Sequence, residues 1–308
     1  MQFLLKGRGG TGKSTIAGKM LEEAKKMGYT IYATAISDAA TSNLRTLTNN
    51  YDSLKDKVVI SNFASMYGLV PVMGENGVII KYDIPTGEEL MDTVPKIKAG
   101  KNLLLFDEAS MVSRETLNII KKISPDTIIV FMGDNAQIKP IGDSAISEVF
   151  NLKNRAELTE VMRQKSGSPI LELATNVAKE LDAIDNKENI KLSPVATLLK
   201  TDFEEKTNSG VIVSESTEEF LNEAAKDFKA YGAKETIIVT GNVNNVNKYN
   251  REIRKRVVGE DTDFVVPGER VMLYSKYSKY MGKNHPRIEI FNSSVVDVTS
   301  VRNASVLG

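Results

Sequence analysis

Residues 7–14 read Gly7-Arg8-Gly9-Gly10-Thr11-Gly12-Lys13-Ser14, an unbroken phosphate-binding loop. Its glycines let successive backbone N–H groups curl around a triphosphate, where bulkier residues would collide with it. The flanks fit. Phe3-Leu4-Leu5 has the apolar run of a short strand, and residues 13–27 hold good helix formers that stop at Gly28. A strand, this loop and a helix in that order set the helix N-terminus against the phosphates. Lys13 is long enough to reach the β- and γ-phosphates, and the Ser14 hydroxyl suits Mg²⁺. A nucleoside triphosphate site is therefore expected, and with it a parallel sheet to carry the loop.

Further apolar runs recur between amphipathic helical stretches, at residues 30–35, 58–60, 102–106, 127–132 and 157–161. Most hold their apolar residues consecutively, as parallel strands covered on both faces do. This alternation predicts a doubly wound α/β fold of the P-loop NTPase type, with nucleotide at the carboxyl ends of the strands. Residues 67–99 break the rhythm. Pro71, Gly74, Gly77, Pro85 and Gly87 exclude one helix there, and Val78-Ile79-Ile80-Lys81-Tyr82 after a Glu-Asn-Gly turn predicts an inserted β-hairpin. A second α/β section is expected from Glu157, with a strand over residues 236–240 and mostly strands beyond Arg270. Residues 185–205 read as a polar surface connection.

At 308 residues the chain is long enough for two domains. Lys plus Arg (40) balance Asp plus Glu (40), so no global basic footprint marks a nucleic-acid partner, although local patches remain open. The absence of cysteine excludes disulfides and thiolate metal sites and suits a reducing cytoplasm. His285 is the single histidine, which excludes a multi-histidine metal site. No apolar stretch approaches a bilayer's thickness, so a membrane partner is not expected.

Leu103-Leu104-Leu105-Phe106-Asp107-Glu108 reads as a buried strand ending in two acids. Asp107 at the strand tip suits Mg²⁺ held partly through water. Glu108 is placed to polarise an attacking water. The next strand leads into Gly133-Asp134-Asn135-Ala136-Gln137-Ile138-Lys139-Pro140. Gln137 is long and uncharged and can bond both γ-phosphate and water; a polar loop shaped by Gly133 and Pro140 is the equal alternative. Arg163, after Leu158-Thr159-Glu160-Val161-Met162, reads alone as a surface arginine, or as a cation offered across a cleft to the transferred phosphoryl group.

Taken together, residues 7–15, Asp107-Glu108-Ala109-Ser110-Met111, residues 133–140 and residues 158–164 resemble a superfamily-1 DNA helicase of the branch containing RecD and Dda. The resemblance implies a first RecA-like motor domain over residues 1–155 and an incomplete second one over residues 156–308 that runs into a strand-rich insertion. Residues 67–98 would form the hairpin that wedges a duplex apart. It implies ATP and Mg²⁺ as cofactors, a nucleotide set of Gly7, Gly9, Gly10, Thr11, Gly12, Lys13, Ser14 and Thr15, and metal contacts from Ser14 and Asp107. Lys13, Asp107, Glu108, Gln137 and Arg163 would be catalytic, with Gln137 sensing γ-phosphate and Arg163 acting as an arginine finger. Single-stranded or tailed duplex DNA would be the partner. Ala35-Ile36-Ser37-Asp38-Ala39-Ala40 resembles the segment touching the DNA backbone, so Ser37 offers a hydroxyl to phosphate. Phe63 stands where the family tends to carry a histidine; it is a stacking platform or a core ring. Rings and charges interleaved from Tyr274 to Lys283 read as a single-strand contact or a solvated hairpin. Val246, Asn250, Ile253 and Arg254 keep the spacing of a second-domain helix.

Two family features do not occur: the adenine-reading glutamine ahead of the phosphate loop, and the Thr-x-His-Lys-x-Gln-Gly segment. The resulting expectation is an ATP-driven 5′-to-3′ motor that unwinds poorly by itself, completed by a second polypeptide or present as a fragment. The alternative is a non-motor ATP-dependent DNA-binding subunit. A metabolite kinase has no need for Gln137 and Arg163 in these contexts.

Overall fold

Consecutive apolar residues can all be buried only where a strand is covered on both faces. The strand Asn102–Phe106 does this: Leu104 and Phe106 enter one core cluster, and Leu103 and Leu105 enter the other. The computed structural model describes residues 1–73, 79–84, 97–140, 146–160, 170, 172–177, 211–212, 214–259, 264–273, 277–279, 288–290 and 295–302. The chain divides into two units, Met1–Ser193 and Pro194–Gly308.

In the first unit the described elements run β1 (Gln2–Gly7), α1 (Lys13–Lys26), β2 (Thr30–Ala35), α2 (Asp38–Asn49), β3 (Val59–Asn62), α3 (Phe63–Tyr67), β4 (Val70–Met73), β5 (Ile79–Asp83), β6 (Asn102–Phe106), α4 (Arg114–Ile123), β7 (Ile128–Gly133) and β8 (Arg155–Leu158). Six strands form one parallel sheet in the order β3-β2-β6-β7-β1-β8. This is the expected P-loop α/β architecture, with helices on both faces. Leu5, Ile31, Ala33, Val130 and Met132 meet Ala17, Leu21, Ala40 and Leu44 of α1 and α2 on one face. Leu4, Tyr32, Ile129 and Phe131 meet Met66, Tyr67, Leu117 and Ile120 of α3 and α4 on the other. Each such large side chain, fully buried, contributes about 1.5–3 kcal/mol.

Helix starts follow local chemistry. Ser37, Asn62 and Ser113 cap α2, α3 and α4, each accepting a backbone N–H three residues on. The α1 start is the exception. Its cap is Gly12 in the left-handed region at φ 85°, without a side-chain cap and with no acid in the first turn. That leaves the positive end of the helix for an anion. The inserted hairpin is present as the antiparallel pair β4–β5, with an irregularity between Val72 and Met73. Its tip, residues 74–78, and residues 85–96 lie outside the described residues.

In the second unit α5 (Thr217–Tyr231) and α6 (Val243–Val258) enclose a small cluster of Leu221, Ala225 and Ile253, flanked by Phe228 and Tyr249. Two short antiparallel pairs follow, β9 (Arg270–Met272) with β12 (Val295–Asp297), and β10 (Tyr277–Lys279) with β11 (Ile288–Ile290). The helix expected around Val246 and Arg254 is α6, where Arg254 pairs with Glu269 at 2.5 Å. Residues 236–240 depart from expectation. They join no described sheet, Ile238 touches the helix cluster, and Ile237 and Val239 are exposed. An unbroken run of β-branched residues favours extended backbone, but no described strand offers them a ladder.

Candidate nucleotide and catalytic site

Because all six strands run parallel, every loop leaving a carboxyl end emerges on one edge of the sheet. The phosphate loop follows β1, the acid pair follows β6, the Gln137 loop follows β7 and Ser37 follows β2. These segments are far apart in sequence and neighbours in space.

The loop is tied to itself and to β8. Gly10 and Gly12 have φ of 78° and 85°, which L side chains rarely adopt. A Cβ at Gly7 would stand 2.6 Å from Thr11 Oγ1 and 3.0 Å from the Leu158 carbonyl, so packing demands glycine there. Thr11 Oγ1 donates to the Arg8 carbonyl at 2.8 Å. Lys13 Nζ donates to the carbonyls of Gly7 and Arg8, at 2.6 and 2.9 Å, which holds the ammonium inside the curl of the loop. Ser14 and Thr15 are exposed in the first turn of α1.

The acid pair is bound to β2. Asp107 N–H donates to the Thr34 carbonyl at 2.9 Å. Glu108 N–H donates to Asp107 Oδ1 at 2.8 Å. Glu108 occupies the left-handed region at φ 54°, where a non-glycine residue costs roughly 1–3 kcal/mol, and this turns its side chain off the strand axis. Behind it, a Cβ on Gly133 would come within 3.0 Å of the Ala109 backbone, so β7 can lie against the acid loop only as glycine.

Burial pushes the Asp107 carboxyl up to about 6, against the bond from the Glu108 N–H and the Lys13 charge, with Glu108's own charge adding to the rise. The folded protein therefore favours the protonated form. That contribution to stability is present below the ordinary aspartate range and is lost as pH rises through about 6. Asp107→Asn cannot ionise, so in EDTA at pH 8 it should melt higher by the equivalent of ~3 kcal/mol. The gain should shrink steadily between pH 6 and pH 4. Equal melting of variant and parent at pH 8 would refute this.

Mg²⁺ takes one or two carboxylates and completes its shell with water and phosphate oxygens. The largely desolvated Asp107 carboxylate, close enough to Lys13 to feel its charge, with Ser14 the next residue along and exposed, fits that demand. No cluster of three acidic or histidine side chains occurs among the described residues, and Mg²⁺ requires none.

Other anticipated residues are distributed unevenly. Gln137 is exposed, and its backbone N–H donates to the Asp134 carbonyl at 3.2 Å. Ser37 both caps α2 and donates from Oγ to Glu108 Oε2 at 2.9 Å. Phe63 is 7% exposed, with its ring 4.9 Å from that of Tyr67 and 5.7 Å from that of Phe106; this geometry favours the core reading over the stacking platform. Its edge lines a cavity of about 220 Å³ with Ile36, Tyr82 and Thr116. Arg163 and the Tyr274–Lys283 ring-and-charge series, apart from the backbone of β10, lie outside the described residues. Arg8 went unremarked in the sequence: Nη1 meets Asp134 Oδ1 at 3.4 Å, linking the phosphate loop to the Gln137 loop. Its position inside the glycine run is visible in sequence, but the pairing follows only from β1 lying beside β7.

The family described as AAA domain matches residues 1–193. The ATP-dependent DNA helicase dda of Enterobacteria phage T4 is 29% identical over 301 residues, covering 94% of this chain and 60% of its own length. The RecBCD enzyme subunit RecD of Buchnera aphidicola subsp. Schizaphis graminum is 27% identical over 178 residues, 52% of this chain and 28% of its own. Among solved structures, the Pif1 helicase from Candida albicans aligns with a TM-score of 0.47 at 15% identity, over 97% of this chain and 65% of that one. The chain thus spans less than two thirds of the length of these relatives. With its phosphate loop and acid pair on one edge of a parallel sheet, and with sequence similarity to Dda and RecD, the chain belongs to the AAA domain family.

Proposed function

We propose that the chain is an ATP-driven DNA motor that couples Mg·ATP hydrolysis to movement along single-stranded DNA, 5′ to 3′. The observation that carries this reading is the convergence of the phosphate loop, Asp107-Glu108 and the Gln137 loop on the carboxyl edge of one sheet. The relative named as an ATP-dependent DNA helicase, matched over most of this chain, supplies the DNA.

ATP phosphates would lie against the N–H groups of Gly9 to Thr15, with Lys13 bonding the β- and γ-phosphates. Ser14 and Asp107 would hold Mg²⁺, which when bound neutralises phosphate charge and orients the terminal phosphoryl group. Glu108 takes a proton from the attacking water as its oxygen bonds to the γ-phosphorus; the bond to the bridging oxygen breaks, and ADP leaves. Gln137, on the loop beside the γ-phosphate position, and Arg163, from the segment after β8, would link loss of that phosphate to domain movement. Tailed duplex DNA is the substrate for unwinding, with the β4–β5 hairpin as the separating element. The cysteine-free sequence suits a cytoplasmic site of action.

Phosphate release by the purified chain, with and without oligo-dT, tests this. Turnover stimulated at least tenfold by the oligonucleotide is the expected outcome. Turnover insensitive to DNA would overturn the motor reading, and stimulation without strand separation of a 5′-tailed duplex would favour a non-motor DNA-binding subunit.

A further inference from the structure

We propose that Arg8 is a positioning residue that, through Asp134, sets where Gln137 stands relative to the γ-phosphate and so how well the site tells ATP from ADP. The inference rests on the γ-phosphate role proposed above for Gln137 and names the side chain that would hold that role in place.

Placement is the first argument. β1 lies beside β7 in the sheet, with Lys6 opposite Gly133, so the two strands end level. Arg8 is the first residue beyond β1, and Asp134 is the first beyond β7. Arg8 Nη1 reaches across from the phosphate loop to Asp134 Oδ1, at 3.4 Å.

Anchorage is the second, because each end of that link is itself held. The Arg8 carbonyl accepts Thr11 Oγ1 and Lys13 Nζ at 2.8 and 2.9 Å, so the arginine backbone belongs to the curl that would receive phosphate. At the other end, the same Asp134 Oδ1 accepts the Ala136 N–H at 3.0 Å, and the Asp134 carbonyl accepts the Gln137 N–H at 3.2 Å. Asp134 therefore shapes the turn that presents Gln137. Gln137 is exposed, so packing does not enclose it and its placement follows that turn.

Burial is the third. An ion pair between two exposed groups would carry little. Here the Asp134 side chain is 8% exposed and that of Arg8 33%. A carboxylate so enclosed needs its cation, and without the guanidinium it gains by turning toward water. That movement would carry the Ala136–Gln137 turn out of place.

The test is equilibrium binding of ADP and of a non-hydrolysable β,γ-imido ATP analogue to the full chain with Mg²⁺, by displacement of a fluorescent nucleotide. Gln137→Ala sets the reference. It should weaken the analogue about tenfold, the loss of one bond to a charged acceptor, and leave ADP within about twofold. Arg8→Ala keeps the carbonyl that Thr11 and Lys13 use; it should lower the analogue-to-ADP affinity ratio at least about threefold with ADP itself little changed. Asp134→Asn keeps an acceptor for the Ala136 N–H and removes the charge, and it should lower the ratio likewise. If the two act as one link, the double variant should lose no more than either single variant.

A ratio changed by less than about threefold in Arg8→Ala, while Gln137→Ala lowers it, overturns the positioning role and leaves the Gln137 reading standing. Equal weakening of analogue and ADP assigns Arg8 to the phosphate loop alone and overturns it too, as do additive losses in the double variant. If Gln137→Ala leaves the ratio unchanged, the γ-phosphate role fails, and the positioning role falls with it.

Discussion

Glu108→Gln is expected to reduce ATP turnover by about 10²–10⁴-fold at saturating oligo-dT, the contribution typical of a positioned general base. Glutamine preserves the shape of the side chain, and its amide oxygen can still accept the Ser37 hydroxyl. What it loses is the capacity to receive a proton from water. The left-handed backbone at Glu108 and the 3₁₀ turn Ala109–Met111 that follows it make no use of the carboxylate, so the local fold should persist. Nucleotide affinity, read from a fluorescent ATP analogue, should stay within a few-fold of the parent, because the binding N–H groups and Lys13 are untouched. Loss of turnover with retained binding is the signature of a group that acts in the transition state rather than in the ground state. If turnover falls by less than threefold, the base lies elsewhere, and Asp107 becomes the residue to examine.

How far such a site can be read in advance depends on the range of the interactions that build it. The phosphate loop is local: eight consecutive residues dictate its turns, and the left-handed glycines lie within it. The buried strands were legible for a similar reason, since runs such as Leu103-Leu104-Leu105-Phe106 can be hidden only between two layers of helices. The order of the strands was not legible. Nothing in the run Ile128–Gly133 says that it enters the sheet between β1 and β6, yet that insertion brings Asp134, at the start of the Gln137 loop, within reach of Arg8 in the phosphate loop. Residues 236–240 illustrate the converse error: propensity alone suggested a strand, whereas a ladder also needs a neighbour. Ser37 shows the limit most clearly. Its segment was read as a DNA contact, but its bond joins residues 71 positions apart, and no periodicity in either segment announces that pairing.

Lys13→Ala should produce the second large effect, weakening ATP binding by about 10–100-fold and removing most of the remaining turnover. The ammonium is held at the mouth of α1 by the Gly7 and Arg8 carbonyls, so it is already oriented and gives up little side-chain freedom when a phosphate arrives. Alanine would delete charge-assisted bonding to the β- and γ-phosphates worth about 1.5–3 kcal/mol in all. It also withdraws positive charge from the position where negative charge builds on the transferred group. Folding should be spared, because Lys13 contributes nothing to either core cluster and alanine is the strongest helix former for the first turn of α1. A melting temperature within a few degrees of the parent, measured on the same preparation, separates loss of function from loss of structure. Lys13→Arg adds a sharper distinction. It keeps the charge but replaces a compact ammonium with a planar fork too broad for the turn between two carbonyls, so it should recover binding only in part. Undiminished affinity in Lys13→Ala would place the nucleotide outside this loop and remove the basis for assigning Ser14 and Asp107 to the metal.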